Sequence, residues 1–173
     1  MHTTLDPPRV YVLLLKQDDP RKCTAAKLAK LGFATPLFRA RQIPKKALVL
    51  DPFASNTLLP KDRALAEQHG MVAIDCSWER IEGAFTNRFP GNSRQLPTLL
   101  ASNPVNYAKM GKLSSVEALA AALYVLGFKR KATRLLDSFK WGSTFLTLNR
   151  EPLESYASVK SFDDMTKAQS QFF

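Results

Sequence analysis

Residues 96–128 read LPTLLASNPVNYAKMGKLSSVEALAAALYVLGF, and this stretch carries the clearest structural signals in the chain. Residues 96–101 form a short apolar run, which is typical of a buried strand. The next residues, 102–112, are mostly polar, and the pair Asn103-Pro104 favours a turn. The sequence therefore predicts a buried strand that leads into a loop.

A helix is predicted to begin directly after this loop. Ser114 is a favourable N-cap residue, and Glu117 completes the spacing of a capping box. Apolar residues then recur at helical spacing until Gly127 ends the pattern. The free backbone groups of the loop and of the helix start suit a small-molecule site, although an ordinary strand–loop–helix connection fits the same pattern.

Four earlier apolar runs predict the other strands of a sheet, at residues 10–15, 33–38, 47–50 and 71–75. Pro36 places the second strand at an edge, because proline cannot donate a hydrogen bond to a neighbouring strand. Helical patterns separate the strands, and Thr24 is the expected cap of the first helix. This alternation predicts an α/β fold with a mostly parallel, five-stranded sheet that is covered on both faces.

After residue 101 the pattern changes to helices only, and a weakly patterned tail begins at residue 158. The predicted helices before this tail are residues 115–126, 129–139 and about 144–157. We therefore predict an α/β domain at residues 1–90 and a mainly helical domain at residues 91–173.

The chain is strongly basic, with a formal net charge of +10. The excess is concentrated in residues 16–46, and a second cluster lies at residues 129–134. A concentrated basic excess indicates a polyanionic partner, most simply RNA, although a solvated surface that keeps the protein soluble gives the same composition. The candidate RNA-binding residues are Lys16, Arg21, Lys22, Arg39, Arg41, Lys45 and Lys46.

Several classes of protein are disfavoured by the composition. The apolar runs are too short to span a bilayer, and residues 1–10 lack the pattern of a signal peptide. The two cysteines, Cys23 and Cys76, are too few for a disulfide framework or a zinc site of their own. We therefore expect a cytoplasmic protein that has no metal site and does not bind a membrane.

Ligands of an open parallel sheet bind beyond the carboxyl ends of its strands. Asp75 ends the fourth predicted strand and is the best-placed carboxylate, although a turn or helix-cap role is an equal alternative. Trp78 follows it and is either a ligand contact or part of the core. The glycine motifs of dinucleotide folds and P-loops are absent, so apolar residues and backbone groups remain to hold a flat ring such as adenine.

The chain resembles the family of small-subunit (16S/18S) ribosomal RNA aminocarboxypropyltransferases over residues 9–157. The resemblance is carried by DP at 19–20, KCT at 22–24, LDPF at 50–53, DCSW at 75–78, ASNPVNY at 101–107, KLS at 112–114, VEA at 116–118, FKWG at 139–142, Phe145 and LNR at 148–150. These segments recur in the same order and at the same spacing.

The resemblance implies transfer of the 3-amino-3-carboxypropyl group of S-adenosylmethionine to N3 of a hypermodified N1-methylpseudouridine in small-subunit ribosomal RNA. It also implies a SPOUT-like fold with a deep trefoil knot, and a monomer that acts on this RNA or on the pre-ribosomal small subunit during ribosome biogenesis. Asp75 is the expected general base, or the group that orients the target base.

The same resemblance implies which residues bind S-adenosylmethionine. Apolar side chains would enclose the adenine, backbone groups of Leu96 and Gly111 would contact its edge, and Ile74 would meet the ribose through its backbone. Gly111 departs from the family, in which a larger residue is common. The full expected set is Thr24, Leu50, Pro52, Ile74, Trp78, Leu96, Gly111, Leu113, Ser115 and Ala118.

Two other functions remain open on the residues alone. An RNA methyltransferase would use the same donor, and only the resemblance favours the aminocarboxypropyl group over the methyl group. A non-catalytic, basic RNA-binding protein of ribosome assembly would need the basic stretch but no cofactor pocket. Binding of S-adenosylmethionine separates this last alternative from the two enzymes.

Overall fold

A five-stranded sheet lies at the centre of the protein, which is described by a computed structural model over residues 6–15, 23–85 and 89–173. The strand order is β2-β1-β4-β3-β5, and every pairing between these strands is parallel. The strands are β1 (Val10–Leu14), β2 (Thr35–Leu37), β3 (Leu48–Leu50), β4 (Met71–Asp75) and β5 (Asn92–Arg94). The predicted parallel, five-stranded α/β fold is therefore confirmed, with β2 at an edge.

Eight α-helices surround or follow the sheet in the described residues, together with 3-10 turns at Ala40–Gln42, Pro60–Asp62 and Trp78–Arg80. The helices are α1 (Thr24–Lys30), α2 (Arg63–His69), α3 (Ile81–Ala84), α4 (Ser115–Val125), α5 (Lys129–Asp137), α6 (Gly142–Leu148), α7 (Arg150–Tyr156) and α8 (Phe162–Phe172). The weakly patterned tail is thus a helix, α8, which Ser161 caps by accepting a hydrogen bond from the Asp164 N–H group.

The two faces of the sheet are covered in different ways. Side chains of α1, α2 and α4 to α8 join the larger core cluster, together with Val12 of β1 and Leu50 of β3. Strand residues that point the other way, such as Leu13 and Ile74, form a smaller cluster. Ile43, from the connection between β2 and β3, covers this second face together with nearby phenylalanines.

Helix α4 lies at the centre of the larger cluster. It packs against β4 and α1 on the sheet side and against α5 and α7 on the other. Its residues from Leu119 to Leu123 are fully buried, and the run of alanines at 120–122 lets neighbouring elements approach closely. The predicted capping box at Ser114 and Glu117 is present at its start. This helix therefore connects the sheet to the carboxyl-terminal helices.

The predicted strand at residues 96–101 is not part of the sheet, whose fifth strand is β5, just upstream. The Leu100 backbone pairs instead with the buried Asn149 side chain: its N–H donates to Oδ1 (2.8 Å) and its C=O accepts from Nδ2 (2.9 Å). Pro97 has no N–H to donate, which also disfavours a strand there. The predicted burial of this apolar run is confirmed at Leu99 and Ala101, which are inaccessible to solvent.

The predicted helix at about 144–157 is two helices, α6 and α7, and the break falls at Asn149. This residue is fully buried, and its Nδ2 also donates to the Phe145 carbonyl at 3.0 Å. The Asn149 backbone keeps the helical pattern, since its N–H donates to the Phe145 carbonyl at 3.1 Å and its carbonyl accepts from the Leu153 N–H at 2.9 Å. The break is explained by Pro152, which has no N–H to donate to the Leu148 carbonyl four residues earlier.

The glycine of the FKWG segment, Gly142, is required by the close packing of α5 and α6. A Cβ atom at this position would lie 1.9 Å from the Leu136 carbonyl oxygen, so the start of α6 touches the end of α5. Only glycine permits this close approach without moving one of the helices.

The division near residue 90 stays a prediction. The structure shows that β5 lies beyond this position and completes the sheet, and that α4 packs against β4. In the part of the chain that the structure describes, no helix combines the length and the apolarity that crossing a membrane requires.

Replacement of Asn149 by alanine should lower the free energy of unfolding by about 3 kcal/mol, because the Leu100 N–H and C=O lose their partners away from bulk water. Urea denaturation measures this change. Asn56→Ala, at an exposed position, is the matched control and should leave the stability unchanged. Equal stability of the two variants would show that Asn149 does not hold the 96–101 segment.

Candidate functional site

The carboxyl ends of β1, β3 and β4 meet at one edge of the sheet, and the start of α4 lies against this edge. In the register of the sheet, Leu14 is paired with Asp75, and Leu50 with Ala73. Ser115, the first residue of α4, contacts Asp75 directly. This edge is therefore the position at which the sequence predicts a ligand site.

Asp75 is held by two neutral donors from different parts of the chain. The Cys23 thiol donates to Oδ2 at 3.0 Å, and the Ser115 hydroxyl donates to Oδ1 at 3.4 Å. Asp75 is half-buried and forms the last residue of β4, so it does not occupy a helix N-cap position. The carboxylate is consequently fixed in orientation while part of it stays accessible.

Burial and the contact with Asp75 keep the Cys23 thiol protonated. Burial, followed by the hydrogen bond to the Asp75 carboxylate, raises the pKa of Cys23 to about 12. A thiol with this pKa carries almost no thiolate at neutral pH, so it is a hydrogen-bond donor and a poor nucleophile. The sequence predicts no role for Cys23 at this site, because no local signal indicates that it reaches a carboxylate 52 residues away.

The sequence predicted that Thr24 caps the first helix, and this prediction is wrong. The N-cap of α1 is Cys23, whose sulfur accepts from the Ala26 N–H at 3.3 Å. The Thr24 hydroxyl instead accepts from the Val116 N–H at 3.2 Å, in the first turn of α4. The sulfur takes the local capping role, and the freed hydroxyl joins α1 to α4 beside Asp75.

Trp78 is fixed by a hydrogen bond to backbone. Its Nε1–H donates to the Leu113 carbonyl at 3.1 Å, and its side chain is half-buried. This contact brings the segment after β4 against the residue that precedes the α4 cap. Trp78 is therefore not an ordinary core residue, and one part of its ring remains accessible.

The other expected cofactor-binding residues are distributed over both faces and the rim. Leu50 and Leu113 are buried in the larger cluster, and Leu96 and Ala118 pack against it with part of their surface exposed. Ile74 points its side chain into the smaller cluster, which leaves its backbone for the site edge. Pro52 and Gly111 are exposed on the rim.

Gly111 has an unusual backbone conformation. Its φ is +72°, a left-handed conformation that favours glycine, yet a Cβ atom there would meet nothing within 4 Å. Its N–H donates to the Leu99 carbonyl at 2.8 Å. A larger residue would thus have room and would be disfavoured only by the backbone conformation.

Glu117 organises the loop and helix that border the site. It is fully buried, and its two carboxylate oxygens accept six hydrogen bonds of 2.6–3.1 Å from Ser102, Asn103 and Ser114. The sequence predicted only the contact with Ser114. The contacts with Ser102 and Asn103 depend on the path of the loop between these residues and α4, and residue spacing does not reveal this path.

The expected RNA-binding residues do not form one patch. Arg39 and Arg41 follow β2, so they lie toward the edge of the sheet that holds Asp75. Lys45 and Lys46 precede β3 at the opposite edge, roughly 20 Å from the level of Asp75 at a rise of about 3.3 Å per residue. Lys16, Arg21 and Lys22 are outside the described residues.

The second basic cluster, at residues 129–134, lies at the amino-terminal edge of the sheet. Arg130 and Arg134 line a groove of about 600 Å³ together with Phe33. Lys131 also lines it and donates to the Pro8 carbonyl at 2.8 Å, and burial lowers the pKa of this lysine. This groove is separate from the edge that holds Asp75.

Within the described ranges, with their gaps at 1–5, 16–22 and 86–88, no group of three or more histidine, cysteine or acidic side chains is arranged to bind a metal ion. The edge offers a carboxylate, two neutral donors, a fixed indole and apolar side chains. This set can hold a flat heteroaromatic molecule and can accept a proton from a bound base.

Two family models match the sequence. The model described as "Ribosome biogenesis protein, C-terminal" covers residues 48–173. A model described as "Possible Fer4-like domain in RNase L inhibitor, RLI" covers residues 8–38. A four-thiolate iron–sulfur cluster does not fit this chain, which has two cysteines in all.

Relatives named 16S rRNA aminocarboxypropyltransferase match most of the chain. The protein from Methanopyrus kandleri is 44% identical over 164 residues, covering 94% of this chain and 97% of the relative. The protein from Methanococcoides burtonii is 41% identical over 165 residues, covering 94% of each. The protein from Vulcanisaeta distributa is 44% identical over 153 residues, covering 87% of this chain and 83% of the relative.

A solved structure, that of the SAM-dependent rRNA:acp-transferase Tsr3 from Vulcanisaeta distributa, matches with a TM-score of 0.87. The two are 40% identical, and the match covers 96% of this chain and 89% of the other. The likeness therefore extends to the sheet, to the helices and to the edge that holds Asp75.

Replacement of Glu117 by glutamine should lower the free energy of unfolding by about 3 kcal/mol, because an amide group then faces buried N–H donors that need an acceptor. Urea denaturation measures the change. Glu151→Gln makes the same substitution at an exposed position of α7, and it should leave the free energy of unfolding unchanged. A Glu117→Gln protein as stable as this control would contradict the organising role of Glu117.

Proposed function

The chain belongs to the family of 16S ribosomal RNA aminocarboxypropyltransferases, and we propose that it transfers the 3-amino-3-carboxypropyl group of S-adenosylmethionine to small-subunit ribosomal RNA. The observation that carries this proposal is 41–44% identity to three such proteins over 87–94% of the chain. The fold likeness at a TM-score of 0.87 supports it. The acceptor we propose is N3 of an N1-methylpseudouridine.

The adenine of S-adenosylmethionine would bind between Leu50, Trp78 and Leu113, with Pro52, Leu96 and Ala118 completing the enclosure. The support is that Trp78 and Leu113 are joined by a hydrogen bond and that Leu50 and Leu113 share one apolar cluster. The amino-acid end of the donor would reach Thr24, whose hydroxyl lies at the junction of α1 and α4.

Backbone groups would complete the donor site. Leu96 and Gly111 would contact the edge of the adenine, and Ile74 the ribose. The support for Ile74 is its side chain, which packs on the far face of the sheet and leaves its backbone at the strand end. Ser115 would lie beside the donor, since its hydroxyl contacts Asp75.

S-adenosylmethionine supplies a sulfonium that activates three carbons: the methyl carbon, the ribose 5′-carbon and the γ-carbon of the aminocarboxypropyl group. The protein selects the product by which carbon it turns toward the nucleophile, which is a matter of positioning. We place the methyl group against the Trp78 side chain, so that the γ-carbon faces the RNA. The N3–carbon bond then forms as the carbon–sulfur bond breaks, and the sulfur leaves with its methyl and adenosine groups.

The proton on N3 must leave during this transfer, and Asp75 is the group we assign to accept it or to orient the base. Its carboxylate is fixed by Cys23 and Ser115, which are both neutral donors. These two contacts hold the orientation of the carboxylate, and part of Asp75 remains exposed. This setting suits a general base.

Other features of the proposal rest on the family alone. The chain would carry the deep trefoil knot of SPOUT-like proteins and would act in the cytoplasm as a monomer. Its substrate would be small-subunit ribosomal RNA or the pre-ribosomal small subunit during ribosome biogenesis.

The experiment that tests the function begins with calorimetric titration of the purified protein with S-adenosylmethionine, and with S-adenosylhomocysteine in parallel. Small-subunit RNA is then incubated with donor labelled separately on the methyl and the carboxyl carbon. Transfer of the carboxyl label alone supports the proposal. Transfer of the methyl label would identify a methyltransferase, and a folded protein that binds neither compound would be a non-catalytic RNA-binding protein.

Asp75→Asn should slow single-turnover transfer of the carboxyl label by about 10²-fold or more, the range expected for loss of general-base catalysis. Its affinity for S-adenosylmethionine, measured by calorimetry, should be unchanged, because asparagine keeps an acceptor for a neighbouring donor. Asp137→Asn, at an exposed position of α5, is the control. A full transfer rate with normal donor binding would remove Asp75 from the mechanism.

Replacing both Lys45 and Lys46 by alanine should weaken RNA binding and reduce the slope of log affinity against log salt by about 1.5, because two phosphate contacts release fewer counterions. Fluorescence anisotropy at several salt concentrations measures the slope. The exposed pair Lys160→Ala and Lys167→Ala removes the same charge far along the chain and should have a smaller effect. A slope unchanged from that of the unmodified protein would exclude Lys45 and Lys46 from the RNA contact.

A further inference from the structure

Exposed apolar side chains are concentrated in one loop beside the site. Among the described residues, eight large apolar side chains are exposed, and three of these lie within six consecutive positions. They are Val105 at 78%, Tyr107 at 59% and Met110 at 61% exposure. A concentration of this kind on a soluble surface marks an interaction site.

The backbone of this loop is held firmly despite its exposed side chains. The Ala108 N–H donates to the Ala101 carbonyl at 2.7 Å, and the Ala101 N–H donates to the Lys109 carbonyl at 3.0 Å. At the other end, the Asn106 N–H donates to Asn103 Oδ1 at 3.0 Å. The apolar side chains are therefore presented from a fixed frame, which lowers the entropic cost of binding.

The frame is tied to the proposed donor site by Glu117. Glu117 accepts from Asn103 Nδ2 at 2.8 Å, and Asn103 Nδ2 also approaches the Lys112 carbonyl at 3.2 Å. The same carboxylate accepts from Ser114, whose neighbour Ser115 contacts Asp75. The loop thus stands at a fixed position relative to the group that we assign to the target base.

The charge around the loop favours a nucleic acid over a protein partner. Lys109 and Lys112 are exposed within it, and the sequence contains no aspartate or glutamate from residue 95 to residue 116. An exposed aromatic ring with apolar neighbours and flanking lysines is the combination that binds single-stranded RNA, since bases stack on rings and lysines contact phosphates.

We propose that Tyr107, with the exposed Val105 and Met110 in the same loop, is a stacking surface for unpaired bases next to the target nucleotide, with Lys109 and Lys112 at the flanking phosphates. This inference rests on the proposed function, because it places the substrate RNA at the same site. It adds a recognition role for the 103–112 loop: selection of unpaired RNA at the point where the target base enters.

Direct RNA binding tests this role without requiring transfer. The probe is a fluorescein-labelled single-stranded RNA about twelve nucleotides long, in the presence of S-adenosylhomocysteine. Tyr107→Ala should weaken binding about tenfold, the loss expected for one base–aromatic stack. Tyr107→Phe keeps the ring and should bind as the unmodified protein does.

The controls separate stacking from a structural effect. Phe162→Ala removes a similarly exposed ring, at 55%, from the start of α8 and should not change RNA affinity. All three variants should keep the melting temperature and the affinity for S-adenosylhomocysteine. A fully paired duplex of the same sequence should be insensitive to Tyr107→Ala, because its bases are already stacked.

Unchanged affinity of Tyr107→Ala for single-stranded RNA would overturn the proposal and leave the loop as a surface for another partner, such as a protein. An equal loss for Tyr107→Phe would overturn stacking in favour of a hydroxyl contact. If the unmodified protein binds RNA through Tyr107 but transfers no carboxyl label, the proposed function fails, and what remains of this inference is the stacking of unpaired bases on Tyr107. If the carboxyl label is transferred but Tyr107→Ala does not change RNA affinity, the proposed function stands and this inference fails.

Discussion

The buried carboxylate of Glu117 is the interaction on which the rest of the site depends. A carboxylate without solvent access is very unfavourable unless donors surround it, and Glu117 receives six hydrogen bonds from Ser102, Asn103 and Ser114. These donors lie on the turn after the buried 96–101 segment and at the start of α4. The carboxylate is satisfied only when both are in place, so one side chain fixes their relative position.

This arrangement explains how residues far apart in the chain meet at one carboxylate. Ser115 follows the cap that Glu117 holds, and it reaches Asp75 from α4, while Cys23 reaches the same carboxylate from α1. Thr24 closes the contact between these two helices. A reaction controlled by which carbon faces the nucleophile needs such fixed geometry, because small displacements of the reacting groups reduce the rate strongly.

Local signals in the sequence were sufficient where one interaction dominates. The apolar run that became β4 was predicted with its observed bounds, Met71–Asp75, because a continuous apolar run has few alternatives. Local signals were insufficient where distant groups compete for the same backbone hydrogen bonds. The run at 96–101 is buried as predicted, yet Asn149 takes the backbone hydrogen bonds that a strand would have used. The helix predicted at 144–157 is divided for a different reason, since Pro152 lies inside it and cannot donate to the Leu148 carbonyl.

The sequence alone determined the α/β class, the capped start of α4, the strand-end position of Asp75 and, through its motifs, the family. These depend on nearest-neighbour chemistry and on residue order, which are visible in one dimension. Only the tertiary structure decided that Cys23 caps α1 and donates to Asp75, that Thr24 holds α4 instead, and that Tyr107 is exposed from a fixed loop. Each of these is the outcome of competition among partners dozens of residues apart, and residue spacing does not contain the distances that settle such a competition.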